Sequence, residues 1–163
     1  MNPAQWQKEA MDAAFALAEE AAADGEIPIG AVVVDRDGAI IGRGRNRRES
    51  GDPLGHAELF AIREAAERIG DWRLEGTSMV VTLEPCAMCA GALVNARVAR
   101  LIFAAYDPKA GFCGSLGNLV QDARLNHRLE VEGGFEEERS RELLQNFFRQ
   151  LRARDRTERW QSG

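Results

Sequence analysis

Glu84-Pro85-Cys86-Ala87-Met88-Cys89-Ala90-Gly91 decides how this chain is read. The run before it, 78–83, carries Val80 and Val81 in an apolar segment that suits a buried strand. Pro85 fits the first turn of a helix, where its missing N–H costs nothing. A short helix of small residues over 87–96 puts Cys86 and Cys89 on one face, a turn apart. Thiolates at a helix start are favoured by the positive end of the dipole and by any cation they share. An apolar run over 98–105 follows, and the order strand, helix, strand predicts a parallel crossover.

His56-Ala57-Glu58 is the other half of the pattern. Periodicity predicts a helix over 57–69, with Leu59, Ile62, Ala66 and Ile69 on its inner stripe and Gly70 as its stop. His56 then stands at a helix start and Glu58 in the first turn. Alone, Cys-x-x-Cys also reads as half of a structural zinc site or a redox pair, and the dipole alone explains an acidic first turn. Together, one imidazole and two thiolates make three zinc ligands and leave the fourth position to water, as a catalytic zinc requires. Helix starts that follow different strands gather at the carboxyl ends of an alternating sheet. His56, Cys86 and Cys89 can meet there, with Glu58 as the base beside them. Zinc-activated water and a carboxylate base suit attack on an amidine-like carbon, such as C4 of cytosine or C6 of adenine. Cys113 could fill the fourth position, but that would leave no place for water, so a free thiol is the preferred reading.

The other segments surround this pair. Met11, Phe15, Ala18 and Ala22 mark a helix over 6–23, stopped at Asp24-Gly25. Residues 31–34 and 39–41 flank Arg36-Asp37-Gly38 as a hairpin. The segment 42–55 reads as a strand end and a loop. Asn46 within it can cap a turn, the simpler reading, or pair a base edge. Gly111, Gly114 and Gly117 make 106–118 a loop long enough to line a site. Residues 127–131 alternate like an edge strand. A last helix over 136–154 carries Leu143, Leu144, Phe147, Phe148 and Leu151, with the core as the default place for both phenylalanines. Past Arg154 the chain is polar and is expected to fray. Neither repeat nor linker divides it, so one zinc-dependent domain over 1–154 and a polar tail over 155–163 are expected.

With 163 residues, 45% of them hydrophobic, and a net charge of −5, the chain suits a globular domain with one core. Its acidic balance does not suit a general nucleic-acid binder. No apolar run approaches the roughly 20 residues of a membrane span, and no basic-then-apolar start suggests a signal peptide. Three cysteines, an odd number with two at ligand spacing, point to a reducing compartment, hence the cytoplasm. Arginines cluster at Arg43, Arg45, Arg47 and Arg48 and again at Arg149, Arg152, Arg154, Arg156 and Arg159. Phosphate binding and a plain compositional bias explain them equally well.

His-x-Glu with Pro-Cys-x-x-Cys is the signature of zinc deaminases in general. Ile27-Pro28-Ile29-Gly30-Ala31-Val32, Asn46-Arg47 and Asp52-Pro53 extend the match, and 107–115, Asn126-His127-Arg128 and Phe147-Phe148-Arg149 narrow it. On these segments, which run almost end to end, the sequence resembles the bacterial tRNA-specific adenosine deaminases of the cytidine-deaminase superfamily. The resemblance implies a three-layer α/β/α fold with a mixed, mostly five-stranded sheet. It implies a homodimer with one Zn2+ per subunit and active sites near the subunit interface. It implies conversion of adenosine to inosine at the wobble position of a tRNA anticodon, typically of an arginine tRNA. By position, His56, Cys86 and Cys89 would hold zinc and Glu58 would shuttle the proton. Asn46 would contact the flipped base, Asp107 would sit near the next nucleotide, and Phe148, Arg149 and Arg152 would hold the anticodon stem-loop. An unstacked loop base is cheap to extrude, and a loop asks only for a local basic surface, which reconciles RNA with an acidic chain.

Overall fold

The apolar runs form a mixed sheet in the order β2-β1-β3-β4-β5, in a computed structural model that describes residues 2–162. α1 (Pro3–Ala23) starts where the Asn2 side chain accepts from the Ala4 N–H at 3.2 Å. β1 (Gly30–Val34), buried along its length, forms the expected antiparallel hairpin with β2 (Ile40–Arg45). On its other side β1 pairs antiparallel with β3 (Ser78–Leu83). β3 pairs parallel with β4 (Arg100–Ala105) through α3 (Ala87–Asn95), the crossover read from the sequence. β5 (Glu130–Gly133) is the parallel edge. The edge strand expected over 127–131 starts pairing only at Glu130. Before it, the His127 ring is 2.6 Å from the Val98 carbonyl and the Leu129 amide donates to Val120.

Helices cover both faces. Met11 and Phe15 of α1 pack with Val32, Val80 and Ile102, joined by Leu143 of α4 (Glu137–Gln161). Ala61 and Ala65 of α2 (Ala57–Ile69) and Leu93 of α3 share the opposite cluster with Val33, Val81 and Phe103. This is the three-layer α/β/α architecture with a five-stranded mixed sheet. Among the described residues, no helix is long and apolar enough to cross a membrane.

Two expectations give way. α2 buries Ala57, Glu58, Ala61 and Ala65, while Leu59 and Ile62 are only half-buried and Ile69 is exposed. The cause lies in β2. A Cβ on Gly42 would stand 2.1 Å from the Ala61 carbonyl oxygen, and one on Gly44 2.0 Å from that of Ala57. The helix backbone rests on the strand, and only methyl side chains fit between them. The last helix also outruns its expected end, continuing through Arg154 to Gln161. Arginine, glutamate and glutamine make up most of that stretch and hold a helix well without burial. Ser140 is buried and donates its hydroxyl to the Thr82 carbonyl at 2.5 Å, but from Phe148 onward every side chain of α4 is exposed.

Candidate active site

The Glu84 N–H donates to the Ala105 carbonyl at 2.8 Å and so carries the β3–β4 ladder one residue further. Pro85 then breaks the ladder, and Cys86 becomes the N-cap of α3, as His56 is of α2. Both helix starts face one point beyond the sheet. The His56 Nδ1 lies 3.6 Å from Sγ of Cys86 and 3.6 Å from Sγ of Cys89, and the three ligand atoms all lie within 4.8 Å of one another. Tetrahedral zinc, bonded at about 2.05 Å to nitrogen and about 2.3 Å to sulfur, holds those atoms about 3.6 Å apart. The donor set fits zinc and leaves one position over. Hydrogen bonds from Cys89 and His56 bring the pKa of the Cys86 thiol down to about 4, while the hydrogen bond to Cys86, and then burial, push that of Cys89 up. A divalent cation removes that opposition, since a coordinated thiol is deprotonated outright. The hydrogen bond to Cys86 likewise raises His56.

Glu58 is only 4% exposed, and burial lifts its carboxyl above the ordinary range. A carboxyl shifted that way is suited to taking a proton and returning it. Cys113 is not in the ligand group: its buried thiol faces the Pro85 carbonyl at 3.8 Å, and burial raises its pKa.

A cavity of about 620 Å³ opens over this corner, lined by His56, Glu58 and Cys86 and also by Asn46, Asp107 and Phe148. Asn46 donates Nδ2 to the Ile27 carbonyl at 3.3 Å, which fixes the amide, while its buried Oδ1 has no partner among the described residues. A turn cap would have used that oxygen. Asp107 accepts at Oδ1 from the N–H groups of Lys109 (3.0 Å) and Ala110 (3.2 Å), shaping its own loop. Phe148 corrects the core default: it is 38% exposed at the cavity, with Phe147 half-buried behind it and the two ring centroids 5.5 Å apart, edge to face. A second hollow of about 450 Å³ shares Lys109, Leu144, Gln145 and Phe148 with the first and adds Arg149 and Arg152.

Residues 4–105 match the model of the cytidine and deoxycytidylate deaminase zinc-binding region. The chain belongs to this zinc deaminase family. It is 47% identical over 150 residues to the tRNA-specific adenosine deaminase of Bacillus subtilis (strain 168), covering 91% of this chain and 92% of that one. A solved structure from studies of A-to-I editing by tRNA:A34 deaminases at the wobble position of transfer RNA superposes with a TM-score of 0.80. That chain is 42% identical, and the superposition covers 84% of this chain and 99% of it. A guanine deaminase from Bacillus subtilis superposes over a smaller part, 65% of this chain and 66% of its own, at 40% identity and a TM-score of 0.56.

Two buried carboxylates that frame this deaminase site escape sequence reasoning. Glu84, 2% exposed, accepts from the N–H groups of Asp107 (3.0 Å), Cys113 (3.1 Å) and Ser115 (3.0 Å) and from the Ser115 hydroxyl. A Cβ on Gly111 would meet that carboxyl at 2.3 Å, so the glycine is what lets the loop close over it. Glu26, 4% exposed, accepts from the amides of Glu49 (2.9 Å) and Ser50 (3.1 Å) and so anchors the loop that leads to His56. For Glu84 the available signal was an ionisable residue ending an apolar run, since a buried carboxylate must find donors; Glu26, after Asp24-Gly25, carries no such signal. The first arginine cluster divides. Arg45 pairs with Glu20 at 2.6 Å and Asp24 at 3.1 Å, the Arg47 guanidinium lies 5.3 Å from the Phe60 ring centroid, and Arg48 lines the cavity.

Proposed function

We propose that this zinc deaminase converts adenosine to inosine at the wobble position of a tRNA anticodon, with release of ammonia. The observation that carries the reading is a His-Cys-Cys group beside a buried glutamate, in a cavity that continues onto Arg149 and Arg152. The metal corner alone would serve any amidine-bearing base. The adjoining arginines suit the phosphates of a longer substrate.

In this reading His56, Cys86 and Cys89 hold zinc, which supplies acidified water at neutral pH. Glu58 would carry one proton from the attacking water to a ring nitrogen and a second, from the hydroxyl then formed on the carbon, to the departing amine. Water and adenosine thus give inosine and ammonia with no net proton. The free Oδ1 of Asn46 accepts a donor from the extruded nucleotide, a hydrogen bond this buried oxygen otherwise lacks. Asp107 and Phe148 flank the neighbouring nucleotide, and Arg149 and Arg152 take loop phosphates. The deciding experiment offers the zinc-loaded protein an anticodon stem-loop with adenosine at the wobble position, free adenosine, and guanine. Inosine is expected in the RNA alone; turnover confined to guanine or the free nucleoside would replace this reading with a small-molecule deaminase.

Three finer assignments belong to the same reading: an arginine tRNA as substrate, a homodimer, and the cytoplasm as its place. Leu54 and Leu116, 50% and 57% exposed, sit in the loops beside His56 and Ser115 and suit a subunit contact. Sedimentation that gives only an 18.0 kDa species at micromolar concentration would remove the dimer. Inosine in other tRNAs but not in arginine tRNA would remove the first assignment, and recovery of the protein outside the cytoplasm the last.

A further inference from the structure

Beyond the second hollow, α4 keeps going, and its outer half is not randomly charged. At about 100° per residue, Arg149, Arg152, Arg156 and Arg159 fall within an arc of about 80°. Trp160, 87% exposed, ends the same face. Arg154 points the opposite way, and Asp155 and Glu158 lie outside the arc. The ion pairs of α4 are all at its start, through Arg139 and Arg141. Asp155 is spaced to pair with Arg152 and with Arg159, yet among the described residues neither pair forms. Four guanidinium groups thus line one helix face for about 15 Å, starting at the edge of the cavity. On a chain whose net charge is −5, this is a local reversal of sign in direct continuity with the site.

We propose that this arginine face carries the phosphate backbone of the base-paired stem that presents the reactive loop, with Arg156 and Arg159 reaching the stem itself. The proposal rests on the reading that a folded RNA is the substrate. A double-helical backbone is a ladder of closely spaced negative charges, and arginine forks bind it without regard to sequence. A straight helix leaving the cavity rim matches a stem leaving its loop, whereas a free base would use none of it.

The test compares two RNA hairpins with the same loop, one closed by a full stem and one by the shortest stem that still folds. Binding is read by fluorescence anisotropy over a range of salt. In the Arg156→Ala/Arg159→Ala double variant, affinity for the full hairpin is expected to fall about tenfold. The slope of log K against log salt should become shallower by about 1.4 to 1.8. On the short hairpin the variant should match the unmodified protein. Arg154→Ala, on the opposite face, should change neither. Equal losses on both hairpins, or a loss with Arg154→Ala as large as with the pair, would overturn the proposal. So would a double variant that binds the full hairpin normally, which would leave the face to an acidic protein. Should the unmodified protein bind neither hairpin, the RNA reading itself fails; normal deamination of both by the double variant removes only the stem contact.

Discussion

The corner that holds His56, Cys86, Cys89 and Glu58 and the outer half of α4 border the same cavity but are built on opposite plans. In the corner, backbone does the placing. Two helix starts set the ligands, two glycines bring α2 down onto β2, and a buried carboxylate ties the next loop to the same strand end. On α4 nothing is held: Phe148, Arg149 and Arg152 are exposed side chains on a helix that packs on the sheet only through its first turns. Side chains placed by the backbone suit proton transfer, where a small displacement costs rate. Exposed, long side chains suit a charged and flexible polymer, where the attraction needs no single geometry.

This contrast predicts that the two sides fail differently. Glu58→Gln should lose roughly 10²–10⁴-fold in kcat while bound zinc, measured by elemental analysis, stays at one per chain. A variant that still turns over normally would show that the buried carboxyl is not the proton carrier. Glu84→Ala should strand three backbone donors, destabilising the fold by about 3 kcal/mol. For a chain of this size that lowers the melting temperature by about 6–12 °C. An unchanged melting curve would mean that the loop over 107–115 holds its shape without that staple. Arg149→Ala/Arg152→Ala should have the mildest effect, raising KM for an anticodon stem-loop about tenfold with kcat intact, and flattening its salt dependence. Loss of kcat instead would place these arginines with the chemistry and erase the distinction.

The same contrast explains what could be read in the sequence. Cys86, Cys89 and His56 are legible because helix starts announce themselves locally, through Pro85 and through the switch from apolar run to helical period. Strand order around α3 follows from the crossover rule alone. The inner face of α2 was not legible, because it is set by Gly42 and Gly44 on another element rather than by the helix's own larger apolar residues. Glu84 and Glu26 were hidden for a related reason: their partners are main-chain amides, which leave no residue pattern to find. Arg45 could not be told from its neighbours, since its partners Glu20 and Asp24 lie a hairpin away in sequence.

The Glu84 staple has a consequence for anyone who would retarget this protein to another base or another RNA. The loop over 107–115 and the segment that bears the two cysteines share one clamp, the Glu84 carboxylate. Insertions or bulky replacements between Asp107 and Ser115 therefore trade new recognition against a misaligned metal. The exposed turns of α4 carry no such tax and are the better ground for directed variation.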